Sequence, residues 1–148
     1  MAEVFKDHSN ILQNGNGHAH EMLFDEENCD LFDQVHPMKR DEFVNPAQEG
    51  EYDILVIGAG AGGLVTAAGS KGYGARVCLI ERTFLGGDCL NMGCVPSKAF
   101  LKCASVVHNA RTAHNYGVKI NGEIEVDFPA IMTRMKKIRA DISENDSA

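Results

Sequence analysis

Hydrophobic and polar positions follow two regimes along the chain. From Asp53 onward, Ile54-Leu55-Val56-Ile57 forms a continuous aliphatic run, the pattern of a parallel strand buried on both faces. A glycine-rich segment, Gly58 to Gly63, follows at once. Leu64-Val65-Thr66-Ala67-Ala68 then reads as a helix ended by Gly72-Tyr73-Gly74, and Arg76-Val77-Cys78-Leu79-Ile80 as a second buried strand. Two parallel strands need a crossover of this length, so the segment predicts a β-α-β unit. Beyond Glu81 the chain loops through Leu85-Gly86-Gly87, and a helix is expected to run on to about Arg111. Tyr116 to Val126, interrupted by Asn121-Gly122, predicts a short hairpin or extended loop. A last helix starts at Asp127 as N-cap with Pro129 in its first turn. Phe128, Ile131, Met132, Met135, Ile138 and Ile142 form its apolar stripe. Arg134, Lys136, Lys137 and Arg139 occupy the remaining surface and read as a solvated face.

Residues 1–50 show neither period. They are rich in Asn, Gly, His and acids, and Gln13 to His20 is polar and turn-prone. Such a segment buries too little apolar surface to offset its ordering entropy, so residues 1–50 are expected to be an acidic, disordered leader and residues 51–148 the folded part. Charge divides at the same point: the balance is −8 over 1–50 and +1 over 51–148, within a net −7. An acidic chain without a basic stripe excludes nucleic acid as a partner. The first 38 residues hold one cation, Lys6, and no apolar run fit for a signal sequence, so neither a transit nor a secretory peptide is expected. Ile54 to Ser70 carries no charge over 17 residues, but five of these are glycine, and the β-α-β reading replaces a membrane span. A cytoplasmic, reducing compartment follows, in which a disulfide is catalytic rather than structural. His18 and His20, with Cys29 nearby, repeat no ligand spacing, and no metal site is expected.

The glycine triplet Gly58, Gly60, Gly63 has the G-x-G-x-x-G spacing of a dinucleotide site, with a strand before it, a helix after it and an acid, Glu81, ending the second strand. Gly58 permits the tight turn, Gly60 lets backbone approach a pyrophosphate, and Gly63 lets helix and strand pack closely. The helix N-terminus offers N–H groups and positive dipole to phosphate. Glu81 would accept hydrogen bonds from a ribose diol and repel a 2′-phosphate, which argues against NADP at this site.

Cys89 and Cys94 lie five positions apart. On a regular helix they would point about 140° away from each other, beyond disulfide reach. Bridging them requires an irregular turn, which Asn91 and Gly93 ease. A thiol just inside a helix start is also stabilised as thiolate. Two ordinary buried cysteines are the alternative, but a loop crowded with glycine is poor packing material, which favours a redox pair. Cys78 and Cys103 read as core cysteines, and Cys29 lies in the leader.

The run Gly86-Gly87-Asp88-Cys89-Leu90-Asn91-Met92-Gly93-Cys94-Val95-Pro96-Ser97-Lys98 closely resembles the redox motif of the pyridine nucleotide-disulfide oxidoreductases. The resemblance covers about residues 51–148 and is nearest to a mercuric-reductase-like branch, in its Gly-Gly-Asp-Cys form and its Met-Lys-Lys-Ile-Arg-Ala-Asp-Ile helix. It implies an α/β class, with a Rossmann-like FAD-binding β-α-β unit followed by a redox-active helix, as part of a larger domain. It implies FAD held by Gly58, Gly60, Gly63, Glu81, Gly87, Asp88 and Lys98. Cys94 would lie beside the flavin, Cys89 would exchange with substrate, and Lys98 would stand near the reactive flavin edge. Electrons would pass from NAD(P)H to FAD, to the Cys89–Cys94 disulfide, then to a small-molecule disulfide or metal-ion substrate.

Asp88 replaces the threonine common in better-known members and is expected to raise the Cys89 pKa. Family chains are longer, with a second nucleotide domain and a dimerisation domain whose histidine completes the partner's site. His108 and His114 lie too near the redox helix to take its place. Homodimerisation is thus expected only of a longer parent, and this chain alone is expected to be inactive. A contrasting expectation is a non-catalytic dithiol module that binds soft metals or exchanges disulfides without flavin.

Overall fold

The computed structural model of the protein describes residues 25–36, 44, 47, 50–81 and 84–146. Its elements run α1 (Glu26–Val35), β1 (Ile54–Ile57), α2 (Ala61–Gly72), β2 (Val77–Ile80), α3 (Gly87–Asn91), α4 (Cys94–Thr112), a 3-10 turn (Ala113–Tyr116) and α5 (Phe128–Asp146). β1 and β2 pair in parallel, with Ile54 opposite Val77 and Ile57 opposite Ile80. With α2 as the crossover they form the β-α-β unit that the aliphatic runs predict.

Burial of the strands departs from the expectation. Ile54 and Val56 are half-buried, whereas Leu55 is exposed and Ile57 is 80% exposed. Side chains alternate between the two faces of a strand, and with α2 packed against the sheet one face of β1 is half-buried and the other exposed. A continuous apolar run reports that both faces are suited to burial, and here one is covered. Cys78 and Cys103, expected in a core, are likewise only partly buried.

The expected leader also departs in part, because residues 26–35 form α1. Asp25 caps it: its Oδ1 accepts from the Asn28 N–H at 3.0 Å, and Glu26 and Glu27 in the first turn complement the helix dipole. Phe32 is buried against Ala140 of α5, with Leu31, Val35 and Phe84 around it. His18 and His20 lie outside the described residues. Among the described residues no cluster of three or more His, Cys, Asp or Glu could hold a metal ion.

α5 begins as predicted, with Asp127 Oδ1 accepting from the Ala130 N–H at 3.0 Å. Its basic residues do not form one solvated face. Arg134 and Lys137 are exposed, but Lys136 and Arg139 are buried together with Met135, Ala140 and Ser143. α1 supplies the reason. Lys136 Nζ donates to Asp25 at 2.5 Å and Glu27 at 2.6 Å, and the other end of α1 is joined to α5 by His36 Nε2 and Ser143 Oγ, 2.9 Å apart. Burial opposes the charge on Lys136, but its hydrogen bonds to the two carboxylates outweigh burial and raise its pKa. Residues 117–127 form an extended loop without strand pairing. No helix among the described residues is long and apolar enough to cross a membrane, and the uncharged stretch Ile54–Ser70 is divided between β1, the glycine turn and α2.

Candidate dinucleotide and redox site

The glycine turn shows a different physical demand at each of its three positions. Gly58 takes φ +98°, a conformation that costs other residues energy, and its N–H donates to Ile80 O at 2.7 Å, locking the turn to β2. A Cβ on Gly63 would lie 1.8 Å from Gly58 O, so α2 lies against the turn as closely as backbone allows. A Cβ on Gly60 would meet nothing nearer than Gly87 Cα, at 4.0 Å. On its Cβ side Gly60, the N-cap of α2, therefore faces space rather than packing, at a helix start where first-turn N–H groups lack intrahelical partners. An open, Cβ-free cradle at a helix N-terminus fits the pyrophosphate of a dinucleotide.

Glu81 stands where the spacing predicts, at the end of β2. Its Oε2 accepts from the Ala59 N–H at 2.7 Å, which fixes the carboxylate against the turn. The expectation assigned this carboxylate to ribose hydroxyls alone, so its backbone contact is an addition.

The glycine turn and the cysteine motif are joined through backbone. Gly86 N–H donates to Ala59 O at 2.9 Å, Gly60 and Gly86 form a parallel bridge, and a Cβ on Gly87 would lie 2.6 Å from Gly60 Cα. Gly87 thus acts by close approach, while Asp88 is exposed in the first turn of α3.

Between the cysteines the helix breaks, as bridging requires. α3 ends at Asn91, Met92 N–H donates to Asp88 O at 2.9 Å, and α4 begins at Cys94 after a non-helical Gly93. Both thiols are free, Cys94 exposed and Cys89 half-buried. The neighbouring Cys94 thiol, with partial burial second, raises the Cys89 pKa. The Cys94 N–H at the start of α4 and the Lys98 ammonium act in the opposite direction. The shift has the expected direction, but its source is the neighbouring thiol rather than the Asp88 carboxylate. Cys94→Ala is therefore expected to speed alkylation of Cys89 at mildly alkaline pH by roughly threefold or more, because more of it becomes thiolate. Asp88→Thr should leave the alkylation profile in place. An unchanged rate in Cys94→Ala, read by mass spectrometry of the Cys89 peptide, would remove the neighbouring thiol as the cause.

Two residues at this site, Arg139 and Asn28, escaped the sequence reading, which expected Asn91 only to ease the turn. Asn91 is buried between the cysteines, and its Nδ2 donates to Leu85 O at 3.2 Å and Gly87 O at 2.8 Å. Arg139 on α5 is fully buried and donates from Nη1 to Asn91 O at 2.9 Å. Its Nη2 donates to Asn28 Oδ1 on α1. One signal was available: Lys136, Arg139 and Ser143 recur at helical spacing beside Met132 and Met135, which places them next to the apolar stripe.

Residues 52–146 match the family described as pyridine nucleotide-disulphide oxidoreductase. The chain is similar to dihydrolipoyl dehydrogenase of Acholeplasma laidlawii, 43% identical over 84 residues, which is 57% of this chain and 25% of that protein. The same-named protein of Chlamydia muridarum is 46% identical over 83 residues, covering 56% of this chain and 18% of its own length. That of Bacillus subtilis is 38% identical over 88 residues, with 60% and 18% covered. The chain therefore spans a quarter or less of the length of these relatives. Family members use FAD and NAD(P)H. The β-α-β unit, the glycine turn and the broken helix with its two thiols all fall within the matched residues, and the chain belongs to the pyridine nucleotide-disulphide oxidoreductase family.

Proposed function

We propose that this chain forms the N-terminal part of a FAD-dependent disulfide oxidoreductase, in which Cys89 and Cys94 are the redox pair. The observation that carries this reading is the break between α3 and α4, which turns Cys94 back toward Cys89 so that its thiol is the main influence on the Cys89 pKa. A regular helix would hold the same two residues apart. Bound at the glycine turn, FAD supplies two-electron transfer between NAD(P)H and the Cys89–Cys94 disulfide. Gly58, Gly60 and Gly63 leave backbone free to approach the dinucleotide, and Glu81 offers a carboxylate at the end of β2. Gly87, Asp88 and Lys98 stand on the cysteine side of the same turn.

The Cys89 thiolate attacks one sulfur of a substrate disulfide, and the second substrate sulfur leaves as thiolate. Cys94 then attacks the Cys89 sulfur of the mixed disulfide, releases the remaining substrate thiolate and closes the Cys89–Cys94 bond. Cys94 occupies the flavin side in this reading, and Lys98 places a cation near both thiols.

The relatives' name, dihydrolipoyl dehydrogenase, supports a small dithiol or disulfide as substrate, with the pair serving transfer in either direction. The Gly-Gly-Asp-Cys form of the motif favours a second reading, a metal-ion substrate of the mercuric-reductase-like branch. The parent is expected to be cytoplasmic and homodimeric, with residues 1–50 as a leader and residues 51–148 beginning the FAD domain.

The test is anaerobic titration of the FAD-loaded parent protein with NADH. Long-wavelength charge-transfer absorbance should appear on reduction and be lost in Cys94→Ser. A protein that holds no flavin, and instead takes up one Hg²⁺ or Zn²⁺ on its two thiols, would contradict this reading and favour a metal-binding dithiol module.

A further inference from the structure

We infer that α1 is a positioning strap for the redox turn: Asn28 holds Arg139, and Arg139 caps the carbonyl that ends the helix carrying Cys89. The inference rests on Cys89 and Cys94 acting as a disulfide pair, as proposed above.

The relative placement of the thiols is set by Asn91, the last residue of α3, and by Met92 and Gly93, which separate α3 from α4. The last carbonyls of a helix have no intrahelical donor, and Asn91 O is one of these. Two grips hold it. From within the motif, the Asn91 side chain ties the end of α3 to Leu85 O and Gly87 O at its start. From outside, Arg139 donates to Asn91 O at 2.9 Å. The same guanidinium reaches Asn28 on α1, so residues 28, 91 and 139 form one relay across three helices. All three are buried, with Asn28 and Arg139 both 0% exposed.

Stability is a weak explanation for this arrangement. A buried guanidinium gains little over well-packed apolar side chains, and the buried Asn28 Nδ2 and Asn91 Oδ1 have no hydrogen-bond partner among the described residues. What arginine supplies is a rigid plane of N–H donors, able to fix two elements at once. Burial pulls its pKa down to about 10, so it remains protonated at neutral pH and both bonds are charge-assisted. α1 is anchored elsewhere by Phe32, by Lys136 and by His36. Asn28 can therefore be changed without releasing the helix. A loosened Asn91 carbonyl lets the turn sample more conformations, which lowers the effective concentration of one thiol at the other.

The test is the equilibrium of the full chain with dithiothreitol, read as the fraction of Cys89–Cys94 disulfide by alkylation and mass spectrometry. The pair gives two protons and two electrons to oxidised dithiothreitol, whose S–S bond breaks as theirs forms. Asn28→Ala is expected to lower the equilibrium constant for the protein disulfide about tenfold. Asn28→Asp keeps an acceptor for Arg139 and should stay within about twofold of wild type. His36→Ala removes an α1 contact that does not reach Arg139 and should change nothing. A wild-type constant in Asn28→Ala, or equal losses in all three variants, would overturn the relay. A wild-type chain that forms no Cys89–Cys94 disulfide would overturn the underlying redox reading as well.

Discussion

Gly63→Ala is expected to destabilise the β-α-β unit by about 3 kcal/mol or more and to abolish dinucleotide binding. The added Cβ would lie 1.8 Å from Gly58 O and 3.0 Å from Gly58 C. Both are backbone atoms, so no rotamer change relieves the overlap. Either α2 backs away from β1 or the turn opens, and each outcome disturbs the cradle around Gly60. The matched control is Gly62→Ala, one residue earlier in the same helix, where a Cβ meets nothing within 4 Å. Alanine there replaces an exposed helical glycine, and a gain of roughly 0.5–1 kcal/mol is expected. Urea unfolding compares the two stabilities, and quenching of flavin fluorescence reports binding by the parent protein. Equal stabilities for the two variants would show that the close approach at Gly63 does not support the fold.

Arg139→Ala carries the second large effect, a loss of about 3–5 kcal/mol. It removes donors to Asn91 O and Asn28 Oδ1 and leaves both acceptors buried, at roughly 1–3 kcal/mol for each unsatisfied group. It also deletes a fully buried side chain at the junction of α1, α3 and α5. Lys137→Ala, two residues earlier, serves as the comparison. Lys137 is exposed and its bond to Asp141 is an i,i+4 surface pair at 3.0 Å, so a change within about 0.5 kcal/mol is expected. A similarly small change for Arg139→Ala in chemical denaturation would mean that the buried relay contributes nothing to the fold.

What the sequence made legible was local. The aliphatic runs, the glycine triplet and Glu81 all lie within one window, and each is specified by its neighbours in the chain. The same holds for Asp127, whose capping role needs only the residues that follow it. The break between Cys89 and Cys94 was anticipated because helical geometry forbids their meeting without one.

The remainder depended on contacts between distant parts of the chain. Arg139 and Asn28 are 111 positions apart, as are Lys136 and Asp25, so four charged or polar residues that read as solvated instead form an interface. α1 was hidden for the same reason. Leu31, Phe32 and Val35 make a short apolar stripe whose value becomes apparent only beside Ala140. Burial of β1 was overestimated because an apolar run cannot reveal how many faces are covered. The source of the Cys89 shift was misplaced because Asp88 is adjacent in sequence, whereas the decisive group is the thiol of Cys94 across the turn.

Every proposed electron-transfer step requires that Cys89 and Cys94 be one redox couple. Mild oxidation followed by alkylation and peptide mapping tests this directly. The predicted result is a single disulfide linking Cys89 to Cys94, reversible with dithiothreitol, with Cys29, Cys78 and Cys103 recovered as alkylated thiols. Recovery of Cys89 and Cys94 as alkylated thiols after oxidation, or their linkage to any other cysteine, would contradict it.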